Sequence, residues 1–461
     1  MFKRLSKTVF IALILSMLLL TGAACGCGGG SKKTTTQKKT ATLVYWRVND
    51  DSRVFDRIVK WYHQTHSNVT IQVVKKDEAT YETELLNALA AGNGPDLAQI
   101  RDDWLPRWQE KIVPVSGADN QKLLNADTFK KIYVDVATNQ LVNNNQVYGI
   151  PLSIGTLAIY YRQKEVGRYL ADNRIQNFPT DWNSVLKIIQ GMTEKDGSGN
   201  ITSAGMAIGT ADNVPNSSQI LQLLMMQNGA KMVADDHRGA TFNTSSPTAT
   251  DRVYYPGTEA LKFYTSFSDP RQSNYTWNKD MGNALDAFVS GKAKMMIGYP
   301  WLASEIYATD PTLQFKIAPF PQVAGTEQKK NYPSYFAETV TKNAADRGTS
   351  DLAWEFLVGL AGFGQDSGSY TEYLQMANRI ESTRKRYLGE QSEELNQNRV
   401  LMGTKVFYEQ NQTATDWYKG KYPEKVDAVM TDLIRAVTLR GQTFQSAIDT
   451  ASSQVTSLLQ E

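Results

Sequence analysis

Cysteine is almost missing from this chain, and both copies, Cys25 and Cys27, fall within the first 27 residues. Everything after them is thiol-free, which excludes a disulfide scaffold and leaves buried apolar surface as the source of stability. Only three histidines occur, His63, His66 and His237, which leaves little material for a metal centre or a catalytic triad. His63 and His66 stand at i and i+3, but no third ligand accompanies them, so a solvated helix face is the expectation. Asp196-Gly197-Ser198-Gly199-Asn200 begins like a calcium loop. The position that would need a bidentate glutamate is Ala207, so a polar hairpin turn is expected there instead. Nucleophile elbows, phosphate loops, dinucleotide glycine fingerprints and internal repeats are all lacking.

Acidic residues are lacking before position 41, whereas Lys3, Arg4 and Lys7 precede an apolar run from Val9 to Leu20. That run is short for a membrane span and ends in Thr21-Gly22-Ala23-Ala24, the pattern of an export signal. A cysteine directly after such small residues resembles the bacterial lipobox, so Cys25 and Cys27 are both candidates for lipidation. A Cys25–Cys27 disulfide would close a strained ring, and two thiols do not complete a zinc site. Residues 1–27 are thus expected to be a lipoprotein signal peptide and 28–40 a flexible tether. The segment SKKTTTQKKT has no large apolar side chain to bury, and its lysines suit anionic headgroups. No later apolar stretch is long enough to span a bilayer. The expected location is the outer face of the cytoplasmic membrane, held there by the N-terminal lipid.

The formal charge is +2, and the seven basic residues of the first forty account for +7 of it, which leaves −5 for the remainder. Such a balance carries no electrostatic footprint for nucleic acid. From Ala41 onward the pattern alternates. ATLVYW reads as a buried strand; Val54, Phe55, Ile58, Val59 and Tyr62 recur at helical spacing; Val69 to Val74 is a strand. Tyr81, Leu85, Leu86 and Leu89 mark a helix, and Leu97 to Ile100 a further strand. This β-α-β-α-β order implies an α/β fold with a parallel sheet, whose ligands sit beyond the carboxyl ends of the strands. Two of those ends carry Asp50-Asp51 and Asp102-Asp103, which are also plausible as caps or solvated loop charges. Further on, Met281 to Trp301 reads as a helix stopped at Ser290-Gly291, a strand Lys294 to Ile297, and then Gly298-Tyr299-Pro300-Trp301. Aromatic rings on a rigid strand end suit the C–H face of a sugar, although a tryptophan there could equally be core.

Ala287-Phe288-Val289-Ser290-Gly291-Lys292-Ala293-Lys294-Met295-Met296-Ile297-Gly298, with Trp301 beyond it, resembles the AF-x-SGKAAM-x-x-G-x-W motif of the family 1 extracellular solute-binding proteins, which include the maltose-binding type. Gly94-Pro95-Asp96-Leu97, Tyr148-Gly149-Ile150-Pro151, Pro179-Thr180-Asp181-Trp182 and Ala318-Pro319-Phe320-Pro321 follow the same family order, and the similarity extends over nearly all of the chain from Ala41. Arg162 and Gly155 depart from the family's usual asparagine and glutamate.

The resemblance implies a two-lobed periplasmic-binding-protein-like fold of type II, with lobes joined by hinge crossovers near 151–155, 319–321 and 364–370. The first lobe is then expected to hold 41–152 plus 322–368, and the second 153–321 plus 369–461. It further implies a monomer, not an enzyme and without a cofactor, that binds a small-molecule ligand of carbohydrate type and delivers it to ABC-transporter permease subunits. Trp301 matches the tryptophan on which a sugar stacks, and Asp50 and Asp103 match positions that bind hydroxyls. Ser153, Asn216, Trp277, Tyr299, Tyr335, Glu338 and Arg379 are the remaining candidates, with Tyr332 and Gln219 nearby. Rival readings are a receptor for a polyamine, peptide or glycerophosphodiester, a surface scaffold, and a glycosidase using Asp50 and Asp103 as its two carboxylates.

Overall fold

The computed structural model describes residues 40–48, 52–246, 253–326, 328–364, 370, 373–374, 383 and 402–461. The expectations for Cys25, Cys27, Asp50 and Arg379 lie outside these residues. Among the described residues no helix is long and apolar enough to cross a membrane.

The alternating pattern at the start of the fold produces the parallel unit expected of it. Strand Ala41–Arg47 runs parallel to both Val69–Lys75 and Leu97–Arg101. Helices Ser52–Thr65 and Glu78–Ala90 make the two crossovers, the second capped by Asp77, whose carboxylate accepts from Ala79 N–H. Leu97 to Ile100 are all buried, as a central strand covered on both faces requires. Strand Phe336–Thr341 enters antiparallel beside Leu97–Arg101 and pairs also with Ile112–Val113 and Ile150–Pro151, completing a six-stranded sheet. Leu43, Tyr45, Tyr62, Leu85, Ile100, Trp108, Trp354 and Phe356 fill its core.

A second core forms around Ala158–Arg162, flanked antiparallel by Met295–Gly298 and Phe315–Pro319. Helices Trp182–Met192, Ser217–Gln227, Pro256–Ser266, Pro423–Thr438 and Phe444–Gln460 pack around it. Helix Ala284–Ser290 stops as expected, because Gly291 takes φ 84°, where a side chain would be strained. Arg162 ties this helix to the central strand of the second core. Its guanidinium donates to the terminal carbonyls of Phe288 and Val289 and is steadied by Glu165 at 2.9 Å. The predicted polar turn at Asp196–Asn200 joins the antiparallel pair Glu194–Lys195 and Ile201–Ser203.

The crossings between the cores differ from the expected positions. Ile154 belongs to the first core and Leu157 to the second, so the first crossing is Gly155–Thr156. It pairs antiparallel with Pro333–Ser334, and this is the second crossing. The expected place at 319–321, and the start of a first-lobe segment at 322, are therefore too early. Gln322 N–H still bonds Thr180, and the Lys330 ammonium bonds the Met226 carbonyl, which holds this loop on the second core. The expected third boundary at 369 is likewise early. Tyr370, Tyr373 and Leu374 sit in the first core, and the Thr383 carbonyl accepts from Val134, whereas Phe407 sits in the second. Helix Met402–Asn411 ends against the paired crossings. Gln410 donates to Thr156 Oγ1 at 2.9 Å, and Asn411 donates to the Ile154 carbonyl at 2.7 Å.

Trp277 does not face solvent or cleft. It is 0% exposed in the second core, and its indole N–H donates to Asn213 Oδ1 at 3.1 Å. Its bulk and fixed hydrogen bond make it a packing residue, which corrects the expectation that it touches ligand. Trp277→Ala is expected to lower unfolding free energy by about 3–5 kcal/mol through the cavity it leaves, measured by denaturant titration.

Candidate functional site

The two cores enclose a cavity of about 1450 Å³, lined by residues from both and from the crossings between them. On the first core, the turn after strand Leu97–Arg101 presents Arg101, Asp102 and Asp103. Arg101 Nε donates to Asp103 Oδ1 at 2.9 Å in a bidentate pair. Asp102 is buried and accepts from Gln140 Nε2 at 3.0 Å, while Gln140 Oε1 accepts from the Tyr335 hydroxyl at 2.7 Å. Burial raises the Asp102 pKa well above the ordinary carboxylate range; the charge of Asp103 adds to this, and Arg101 and Gln140 oppose it.

The second core contributes Asn216, Gln219 and Gln222 from the start of helix Ser217–Gln227, and Asp427 from helix Pro423–Thr438. Asp427 accepts from Ser218 Oγ at 2.9 Å, Gln219 Nε2 at 2.7 Å and Gln222 Nε2 at 2.9 Å. Burial raises its pKa too, against the charge of Arg101 and these hydrogen bonds. Gln222 Oε1 accepts from the Tyr332 hydroxyl at 3.0 Å and the Trp417 indole at 2.8 Å, so one amide ties a crossing residue to the second core.

The aromatic end of strand Met295–Gly298 stands where the sequence suggests. Tyr299 and Trp301 stack with centroids 4.6 Å apart and planes 18° apart. Trp301 is 47% exposed and Tyr299 only 3%, so the indole offers its free surface to the cavity. Tyr160 holds the strand end by donating to the Tyr299 carbonyl at 2.7 Å. Gly155 lies against this aromatic turn. A Cβ there would come within 2.5 Å of Pro300 Cδ, so the close approach of the turn leaves room only for glycine.

Of the candidates read from sequence, Asp103, Ser153, Asn216, Tyr299, Trp301, Tyr335 and Glu338 all line the cavity, together with Tyr332 and Gln219. Glu338 is 1% exposed, and its oxygens are held by Arg47 at 2.8 Å, Gln99 at 2.9 Å and the Tyr45 hydroxyl, so it braces the first core. Phe336, Phe407, Asp416, Tyr418 and Asp427 also line the cavity and were not singled out from sequence. Asp427 is the least legible of these. It sits in an ordinary amphipathic helix, and only its meeting with the Gln219/Gln222 face reveals it.

One ionic cluster joins the two cores. Glu424 of the second core accepts two bonds from Arg107, at 2.6 and 2.7 Å, and one from the Trp104 indole at 2.8 Å. Arg107 also holds Glu82 at 2.7 Å, and Arg101 lies 3.7 Å from Glu424. Burial works against the Glu424 charge, but Arg107 and Arg101 outweigh it and hold the carboxyl down at about 2.

Comparison with known proteins agrees with this architecture. Residues 48–362 match the family model described as bacterial extracellular solute-binding protein. A solute-binding protein of an ABC transporter from Thermotoga lettingae TMO, bound with α-D-tagatose, superposes with a TM-score of 0.67 at 18% identity, covering 91% of this chain and 100% of that one. The sugar-binding protein MalE from Xanthomonas citri gives a TM-score of 0.70 at 16% identity, covering 91% and 97%. A protein of Brucella abortus (strain 2308) described as a binding protein is 23% identical over 274 residues, 58% of this chain and 59% of that protein, so the match spans under two thirds of its length. The fold is the two-lobed one of these binding proteins, and the cleft between its cores is lined from both sides. The chain belongs to the bacterial extracellular solute-binding protein family.

The Glu424 cluster yields a pH prediction. A carboxyl depressed from its ordinary 4.5 to about 2 contributes stability that is complete above 4.5 and lost as pH falls towards 2. Glu424→Gln lacks that term. Melting temperatures recorded from pH 6 down to about pH 2 are expected to show the wild-type advantage over Glu424→Gln shrinking below about pH 4.5.

Proposed function

We propose that this protein is the ligand-capturing receptor of an ABC importer, lipidated at Cys25 or Cys27, which binds a saccharide between its lobes and presents it to a membrane permease. The observation that carries this reading is the half-exposed Trp301, stacked on Tyr299 at a rigid strand end and faced by carboxylates and amides from the opposite core. An indole face covers the apolar C–H patch of a pyranose, both surfaces losing water on contact, while Asp103, Asn216, Gln219 and the tyrosine hydroxyls pair with the ring hydroxyls. Ser153, beside the first crossing, completes the wall. Asp50 and Arg379 remain part of this proposal on the family resemblance alone.

In the mechanism, solute first settles on one lobe, and the second lobe adds contacts only on closure. Solute therefore shifts the open–closed equilibrium by its extra affinity for the closed form. The closed surface then docks on the permease. Capture of this kind makes and breaks no covalent bond, and no cofactor enters it.

A thermal-shift screen of the purified full chain against mono- and oligosaccharides tests the reading. A saccharide at a hundredfold excess over its Kd is expected to add about 2.7 kcal/mol to stability, which raises Tm clearly. Trp301→Ala is expected to weaken that saccharide by about 1–3 kcal/mol in calorimetric titration. Unchanged affinity in a folded Trp301→Ala protein removes the indole from the site.

A further inference from the structure

We propose that the cargo is cationic, a saccharide bearing a protonated amine, and that its ammonium group lies between Asp102 of the first core and Asp427 of the second, against the Tyr299 hydroxyl. This rests on the saccharide reading above and adds the charge of the solute to it.

The argument begins with the carboxylates that line the cavity and what each one faces. Asp103 is committed to Arg101, Asp416 to Lys419 at 2.6 Å, and Glu338 to Arg47 at 2.8 Å. Glu78 and Glu305 are exposed, as is Lys316, the remaining cation of the lining. Asp102 and Asp427 are different. Asp102 is buried with a neutral amide, Gln140, and a backbone N–H as partners, and Asp427 has Ser218, Gln219 and Gln222. Among the described residues neither makes an ion pair. Arg101 acts on both at longer range, while its Nε and one terminal nitrogen are engaged by Asp103, and it also lies 3.7 Å from Glu424. A carboxylate withdrawn from water without an opposite charge is strongly disfavoured, and these two come from opposite cores.

An independent observation points to the same place. Among the described residues the Tyr299 hydroxyl is buried without a hydrogen-bond partner, although Tyr299 lines the cavity, and Asp102, Asp427 and Asp103 all act on it. A buried phenol in that condition is one donor and one acceptor short, which an ammonium and an adjacent sugar hydroxyl would together supply. Tyr299, Tyr332 and Tyr335 line the same cavity, an aromatic surrounding that suits a cation.

The arrangement also gives the cation a part in closure. Asp102 and Asp427 come from opposite lobes, and burial disfavours the ionised form of both. An ammonium that both carboxyls reach supplies the opposite charge that keeps them ionised, and both reach it only with the lobes together. A uronate or phosphorylated sugar supplies no such charge, so the same pair discriminates against anionic saccharides.

The test is calorimetric titration of the purified full chain with three sets of oligosaccharides of equal length: glucosamine oligomers, neutral cello-oligomers, and oligogalacturonates, with spermidine as a non-sugar amine. The glucosamine oligomer is expected to bind at least about tenfold more tightly than its neutral counterpart. Its affinity is expected to fall with added salt while that of the neutral sugar holds, and the galacturonate is expected to leave no signal. Asp427→Asn and Asp102→Asn, each shown to be folded by an unliganded melt, are expected to bring the amine-to-neutral ratio close to one. Neutral sugars binding as tightly as the amine, or a ratio unmoved in both variants, overturns the ammonium site and leaves the saccharide reading standing. Binding of spermidine with no saccharide bound, or silence across the whole panel, overturns both.

Discussion

Two short segments, Gly155–Thr156 and Pro333–Ser334, lie side by side between two separately packed cores, and the rest of the molecule is arranged around that pairing. A pair of antiparallel two-residue strands is weak alone. Here the side-chain amides of Gln410 and Asn411 reach across to Thr156, Leu157 and Ile154, so a helix end of the second lobe clasps the crossing. The cores on either side bury large aromatic residues and behave as rigid parts. Among the described residues the chain passes between the cores at few positions, the arrangement that the proposed closure on a solute requires.

Charge in the cleft is distributed with the same economy. Paired groups such as Arg47–Glu338 and Arg101–Asp103 stiffen the first lobe from within, and Glu424 reaches from the second core to Arg107 and Trp104. These contacts are satisfied within the protein. Among the described residues Asp102 and Asp427 are hydrogen-bonded by neutral donors, and the Tyr299 hydroxyl has no partner. Contrast between satisfied and unsatisfied groups, more than the count of polar residues, separates bracing from recognition in this cavity.

Much of this was legible in the amino-acid sequence because local signals agreed with tertiary demands. The alternating runs from Ala41 to Arg101 became the parallel unit, and the helix, glycine stop and strand between Ala284 and Gly298 formed where the pattern indicated. Trp301 and Asp103 could be placed at the cavity because each lies within three residues of a strand end, a position the chain itself marks. Trp277 could not be placed, since a tryptophan in a polar-looking loop gives no sign that Asn213 will accept its indole proton in the core. The crossings were misplaced for a related reason. Pro319 and Pro321 suggest a break, but the decision to stay on the second core is made by distant partners, Thr180 and Met226. Asp427 was hidden because its neighbours in space, Ser218, Gln219 and Gln222, lie more than two hundred positions away.

The fit of Gly155 against Pro300 has a mechanical consequence. With only 2.5 Å between a notional Cβ and the proline ring, the crossing strand and the turn that carries Tyr299 and Trp301 abut with no intervening layer. If the lobes close about this crossing as proposed, the pivot and the stacking surface form one piece, like a jaw whose tooth is cut into the hinge knuckle. A tilt of one lobe would then pass to the indole face without slack, so the angle at which a solute would meet Trp301 and the angle of the jaw would be a single variable.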